Sequence, residues 1–340
     1  MSGRTGAHSA PGAQRRKLSC GSHARSSGEL LNDALGLAAG VTDDRERDKQ
    51  VREMIVARAS ALVGIADART ALAMAQQHGI SELLAGILVG REVAIDAVPK
   101  FLNPTLRDYL PDPFHLRDMD KAVDRILLAL HENQPIAVFG DYDVDGTTSC
   151  AMLYEFFNSL GVQVSIYIPE RLVEGYGLNP IGLKNCVDQG AKLIITVDNG
   201  ISAVTACDLA KDLGIDIIVT DHHDLPALLP NAFAILNPKQ TDCSFGHENL
   251  AGVGVAFYLM IAVRALLKKE DPHLQLNLKH FLDYVAIGTI ADMATLVGIN
   301  HVLCKIGLEV LNKNLLDGLR VGLHELLVLS GWDQYSAITA

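Results

Sequence analysis

A chain of 340 residues of which 49% are hydrophobic has enough apolar mass for one large core or two smaller ones, which excludes disorder over most of its length. Its formal charge of −11 runs against a broad basic face of the kind that grips nucleic acid. The six cysteines, at 20, 150, 186, 207, 243 and 304, include no C-x-x-C pair, which excludes a disulfide framework or a thiolate zinc site and fits a reduced cytoplasmic protein.

From Met1 to Ser27 there is no acidic residue, while Arg4, Arg15, Arg16, Lys17 and Arg25 lie among Ser, Gly, Ala and His. An apolar h-region is missing, so this is not a secretory signal, and residues 1–30 are expected to be a disordered basic tail. Residues 31–134 form an expected helical lead-in: apolar residues recur at three and four positions in Ile80-Leu83-Leu84-Ile87-Leu88 and in Ala122-Ile126-Leu127-Leu130. Between these runs, FLNPTLRDYLPDP (101–113) is a proline-punctuated connector.

After Pro135 the texture changes to short β-rich runs alternating with helical ones. IAVFG is followed by a helix from Thr147 to Leu160, VQVSIYI by a helix from Pro180 to Gln189, and KLIITV by a helix opening at Ser202, before IDIIVT. Such alternation implies right-handed βαβ units. The expected fold class is α/β, a mainly parallel sheet with helices on both faces, extending over 135–335 with a helical C-terminal segment. The uncharged stretch Leu250 to Val263 is too short to span a bilayer and predicts a buried helix.

GDYDVDGTTS (140–149) puts Asp141, Asp143 and Asp145 directly behind an apolar strand. Carboxylates that close repel one another, so a cation is expected among them. A calcium loop of the EF-hand type is excluded, because its twelfth position must be a bidentate Glu and here is Met152. Ligand sites in open α/β sheets lie outside the carboxyl ends of the strands. There this sequence has Asp143 and Asp145 after IAVFG, Asp198 after LIITV, and Asp221-His222-His223 after DIIVT; a later helix carries Asp292 inside IGTIADMATL. Singly, Asp198 could belong to a turn leading to a Ser202 N-cap, and either His could be an ordinary core residue. Jointly, four Asp and two His form an oxygen-rich set suited to two Mn²⁺ or Mg²⁺ ions sharing a carboxylate, an arrangement used for in-line displacement at phosphorus.

DYDVDG, TVDNGIS, VTDHHDLP and IGTIADM, in that order, resemble the four signature motifs of the DHH phosphoesterase superfamily. Their spacing, with PERLVEGYGLN (169–179), LNPKQTDCSF and LAGVGVAF, resembles the RecJ branch of single-strand-specific 5′ to 3′ DNA exonucleases. The resemblance implies that Asp143, Asp145, Asp198, His222 and Asp292 ligate two Mn²⁺ or Mg²⁺ ions, with Asp198 as the bridge. It implies that His223 contacts the scissile phosphate and that Asp141 is a supporting or alternative ligand. It further implies single-stranded DNA as substrate, roles in repair and recombination, and a single-strand-binding protein and a helicase as partners. Phe139 stands where the pyrophosphatase branch has a histidine.

Two departures from that pattern matter. Ile299-Asn300-His301 replaces an expected Glu-Asn-Arg, and the chain is expected to stop before the family's second domain and oligonucleotide-binding fold. With one tryptophan, Trp332, and the net charge of −11, weak binding of long single strands is expected. Alternative readings are a phosphodiesterase of short oligonucleotides or nucleotide phosphates and, outside catalysis, an impaired scaffold.

Overall fold

The computed structural model describes residues 65–332 and 336–339; the expected basic tail and the start of the lead-in lie outside the described residues. The chain divides into two compact units, 1–103 and 104–340. In the described part of the first, α1 (Ile65–His78) and α2 (Glu82–Gly90) share a small core of Met74, Ala85, Leu88 and Val98. The Ser81 hydroxyl caps α2 by accepting the Leu84 N–H at 3.2 Å. Leu88 of the predicted apolar stripe is buried, whereas Leu83 and Ile87 are exposed. The buried stripe runs instead through the small residues Ala85 and Gly86.

The second unit begins within the proline-punctuated connector. Its α3 (Met119–His131) buries Ala122, Ile126 and Leu127, as the spacing predicts, and packs with the sheet that follows. From there the chain runs β1 (Ile136–Phe139), α4 (Val144–Ser159), β2 (Val164–Tyr167), α5 (Pro180–Asp188), β3 (Leu193–Val197), α6 (Val204–Asp212), β4 (Asp216–Thr220) and β5 (Ala234–Leu236), then α7 (Gly252–Glu270), α8 (Leu282–Ala291), α9 (Gly298–Leu316) and α10 (Val321–Leu329). The α/β expectation holds. All strand pairs are parallel, in the order β2-β1-β3-β4-β5.

Successive strand residues point to opposite faces, and here both faces are covered. Ile136, Val138, Leu193, Ile195, Val197, Ile218 and Leu236 enter a core shared with α3, α4, α7, α8 and α9. Ala137, Phe139, Ile194, Ile217, Val219 and Ile235 enter a second core shared with α5 and α6. Continuous apolar runs rather than alternating ones are therefore what a parallel sheet requires. Three residues of β5, inside NAFAILNP, are too few to announce a strand in the sequence. The Leu250–Val263 stretch is the buried first part of α7, as expected, and among the described residues no helix is long and apolar enough to cross a membrane.

Two helix starts differ from expectation. Helix α4 begins at Val144 rather than Thr147, because the Asp143 carboxylate accepts the Gly146 N–H at 2.9 Å and caps it. Helix α6 begins at Val204, with Ala203 in the cap position and no side-chain cap, so Ser202 does not serve there.

Helices α8 and α9 approach closely at Gly307, where an added Cβ would lie 2.2 Å from the Leu282 carbonyl oxygen and 2.6 Å from Ala286 Cβ. Gly307→Ala must therefore separate the helices and is expected to lower the unfolding free energy by about 1–3 kcal/mol. Gly322→Ala, where a Cβ meets nothing within 4 Å, is expected to leave it unchanged. Denaturant titration of the two variants checks this pair.

Candidate metal centre

The strand order reverses between β1 and β3, and in open sheets of this order the crevice at that reversal binds the ligand. Strands β1, β3 and β4 are neighbours, so the segments following Phe139, Val197 and Thr220 emerge side by side. They bring Asp141, Asp143 and Asp145, then Asp198, then Asp221, His222 and His223 to one edge. Asp292, the residue closing α8, joins them; it is half-buried rather than enclosed in the apolar stretch that its sequence context suggests.

These side chains form three overlapping groups, in each of which one ligand atom per residue lies within 4.8 Å of the others: Asp141, Asp143 and Asp198; Asp198, His222 and His223; Asp145, His222 and Asp292. All seven residues singled out in the sequence thus converge. Asp198, the expected bridge, belongs to two groups, but so does His222, which the sequence did not distinguish as shared.

Two atoms carry the test of whether a cation fits. Asp198 Oδ1 and His222 Nε2 are buried and lack a hydrogen-bond partner, although they lie 3.1 Å apart. Buried polar atoms without partners are rare and costly. A hard divalent ion accepting both an oxygen and a nitrogen donor would satisfy them together.

The local backbone is shaped around this cluster. Asp198 has φ +61°, a left-handed conformation that non-glycine residues seldom adopt and that tends to occur at functional positions. It is held there by its N–H donating to the Thr220 carbonyl at 3.0 Å. Asn199 clasps the neighbouring elements: its amide donates to the carbonyls of Phe139 and Val197 and its oxygen accepts the Leu178 N–H. That bond fixes the loop carrying Tyr176, whose hydroxyl donates to the Asp198 carbonyl at 3.1 Å and lies 3.5 Å from His223 Nε2.

Asp145 is less free than its sequence position suggests. Its two oxygens accept the N–H groups of Gly252 and Val253, both at 2.8 Å, so the amino end of α7 is anchored on it. Gly252 makes this approach possible: a Cβ there would fall 2.8 Å from Asp198 Oδ1 and 3.0 Å from Asp145 Oδ2. Gly288 on α8 plays the same part from the other side, 2.9 Å from Asp145 Oδ1 by the same construction.

Burial pushes the Asp145 carboxyl up to about 6, against the pull of His222 and the Val253 N–H. Burial, then the Asp145 and Asp143 charges, push Asp198 up to about 10. Asp141 is raised by burial as well. Asp221 behaves oppositely. Burial favours its neutral form, but the hydrogen bond from His223, at 2.7 Å to Nδ1, and the N–H groups of Ile201 and His223 hold it below the usual range. The same bond to Asp221 raises His223 to about 9 despite its burial, making it a cation at neutral pH with Nδ1 committed and Nε2 turned toward Tyr176.

The sequence reading missed four contributors: the orienting role of Asp221, the amides of Gly252 and Val253, Tyr176, and Asn199. Asp221 had a visible signal, an acid between a strand and a His pair. Nothing local named the acceptor of the α7 amides, because Ala251 at the cap position has no polar side chain to bond them.

The DHH family, N-terminal domain, matches residues 135–289. The chain is 40% identical over 261 residues to the single-stranded-DNA-specific exonuclease RecJ of Bacillus subtilis, covering 76% of this chain and 31% of that protein. It is 43% identical over 194 residues to the protein of the same name from Escherichia coli, covering 55% and 34%. Among solved structures, RecJ of Thermus thermophilus in complex with Mn²⁺ superposes with a TM-score of 0.62 at 27% identity, over 80% of this chain and 36% of that one. An exonuclease RecJ bound to manganese superposes with a TM-score of 0.52 at 34% identity, over 57% and 48%. The chain spans about a third of the length of these curated relatives.

Two outcomes are expected. Asp198 has a folded-state pKa above its unfolded one, so its contribution to stability is complete below the ordinary carboxylate range and is lost as pH rises toward about 10. Asp198→Asn should therefore raise the unfolding temperature at pH 7 in chelator, flatten its decline from pH 5 to 8, and abolish the rise that Mn²⁺ gives the unaltered chain; thermal melts in both buffers check this. Gly252→Ala should keep the fold yet weaken Mn²⁺ binding at least tenfold, because its methyl must displace Asp198 or Asp145; isothermal titration calorimetry reads the change.

Proposed function

Residues 135–289 match the DHH family, N-terminal domain, and from that match we propose that the chain belongs to this family and that its second unit is a two-metal phosphodiesterase acting as a 5′ to 3′ exonuclease on single-stranded DNA. The carrying observation is the pair of orphaned buried atoms, Asp198 Oδ1 and His222 Nε2, at the centre of a carboxylate and imidazole cluster. Close relatives bearing the name single-stranded-DNA-specific exonuclease support the substrate.

In this reading Asp143, Asp145, Asp198, His222 and Asp292 would hold two Mn²⁺ or Mg²⁺ ions, with Asp198 as the shared ligand. Such ions, when bound, supply charge neutralisation of phosphate oxygens and acidify a water for in-line attack. The chain's own groups do the rest. His223, kept cationic and oriented by Asp221, stabilises charge developing on the scissile phosphate. Asp141, buried and accepting the Tyr142 N–H at 2.7 Å, braces the loop that carries Asp143 and leads into α4. Tyr142 and Tyr176 meet edge to face at 6.3 Å, with the Arg171 guanidinium 4.8 Å over the Tyr142 ring. This rim offers a terminal nucleotide an aromatic surface and a cation. By family resemblance the reading includes a cytoplasmic location, work in repair and recombination, and a single-strand-binding protein and a helicase as partners.

A second reading, hydrolysis of short oligonucleotides or nucleotide phosphates, is favoured by the charge of −11, since long strands need an extended basic groove. Incubating the 340-residue chain with Mn²⁺ and 5′-labelled single-stranded DNA, double-stranded DNA and a tetranucleotide separates the readings. Stepwise release of mononucleotides from single strands alone is the expected result for the exonuclease. Activity on the tetranucleotide only supports the second, and no hydrolysis of any substrate overturns both. Asp198→Ala should cost on the order of 10³-fold in rate, Asp141→Ala about tenfold, because the first removes a shared donor and the second a brace; equal losses would remove Asp198 from the shared position.

A further inference from the structure

Among the described residues two arginines are buried, Arg125 and Arg320. Arg125 pairs with Asp216 and the Lys192 carbonyl at the amino end of the sheet, opposite the candidate site. Arg320, which precedes α10, is bound on every side. Its guanidinium donates to both oxygens of Asp283 at 2.6 and 3.1 Å and to both oxygens of Glu155 at 3.0 and 3.2 Å, and also to the His280 carbonyl. It lies 4.0 Å over the Tyr284 ring, whose hydroxyl donates to Glu155 at 2.6 Å. Asn314 of α9 completes the cluster by donating to Asp283 at 2.7 Å.

A buried ion pair contributes little net stability over apolar packing, and its best-attested use is to fix the register of the elements it joins. Here those elements are telling. Glu155 lies toward the end of α4, whose first turn carries Asp145; Asp283 lies in the first turn of α8, whose last residue is followed by Asp292. Asp145 and Asp292 meet at His222, while Glu155 and Asp283 meet at Arg320. The two helices therefore lie antiparallel, pinned at one end by Arg320 and delivering a candidate ligand each at the other.

They touch closely in between, at Gly288, where a Cβ would be 2.5 Å from Thr148 Oγ1 and 2.9 Å from Asp145 Oδ1. At the rise of an α-helix, Gly288 stands about 7.5 Å from Asp283 and about 6 Å from Asp292. A splay of 1 Å at the Arg320 end, levered about that contact, moves the Asp292 end by roughly 0.8 Å. Metal–ligand distances tolerate only about 0.2 Å. We propose that Arg320 is a positioning residue for the metal centre, holding α4 and α8 in the register at which Asp145 and Asp292 bind one ion together. It rests on the two-metal reading above.

The test is Mn²⁺ affinity of the full 340-residue chain by calorimetry, with the unfolding temperature recorded for each protein. Arg320→Lys keeps the charge but loses the planar fork, and Glu155→Gln keeps the shape but loses one anion. Both are expected to weaken one of two Mn²⁺ sites on the order of tenfold. Arg125→Lys, an equally buried ion-paired arginine remote from the site, is expected to lose stability without losing affinity. Should Arg320→Lys fail to fold, Glu155→Gln carries the same comparison. Unchanged Mn²⁺ affinity in folded Arg320→Lys or Glu155→Gln, or an equal loss in Arg125→Lys, overturns the positioning role alone. Absence of Mn²⁺ binding by the unaltered chain overturns the two-metal reading and this inference with it.

Discussion

Buried carboxylates that face one another must either stay protonated or enclose a cation, and the second unit is organised around that constraint. Asp145 and Asp198 are each about 1% exposed. Burial pushes both upward, aided by the Asp292 charge at Asp145 and by the Asp145 and Asp143 charges at Asp198, which disfavours the charged form that a divalent ion would bind. The surrounding structure compensates at Asp145, where two amides of α7 donate, while the His222 ring lies 3.1 Å from Asp198 without completing a hydrogen bond. These partners are too few to satisfy every oxygen, and the unsatisfied remainder is where a cation belongs.

Holding such a cluster against its own repulsion requires rigid backing. It comes from three adjacent parallel strands buried on both faces, from the left-handed backbone of Asp198, and from glycines at 252 and 288 that admit α7 and α8 within contact of the carboxylates. Helix α7 is anchored through its amino end, so the positive end of its dipole also faces the cluster. Fold and site are thus coupled: the helices that complete the larger core are the ones that touch Asp145.

The two histidines, adjacent in sequence, have been given different work by their surroundings. His222 points a buried, partnerless nitrogen at Asp198. His223 is turned away by Asp221, exposed on its other edge, and kept cationic. One imidazole thus keeps a nitrogen free within the cluster while its neighbour is committed to Asp221, a division between adjacent residues that composition alone could not express.

Much of this was legible in the sequence. Apolar runs bounded by Gly and Pro announced four of the five strands, and the acids and histidines following three of them announced the cluster of carboxylates and imidazoles. Those are local properties: strand period, helix period and the position of a residue after a strand depend on near neighbours. What the sequence did not announce was non-local or conformational. Examples are the binding of Asp145 by amides more than a hundred residues away, the short β5, the place of His222 as well as Asp198 in two of the side-chain groups, and the closing of α8 at Asp292. Asp143 is both a candidate ligand and the cap of α4, and only the path of the chain revealed the second use. The sequence by itself determined which residue types stand at the carboxyl ends of the strands. The tertiary structure decided which of their atoms are already bonded and which are left for an ion, because hydrogen-bond satisfaction depends on distances between segments far apart in the chain.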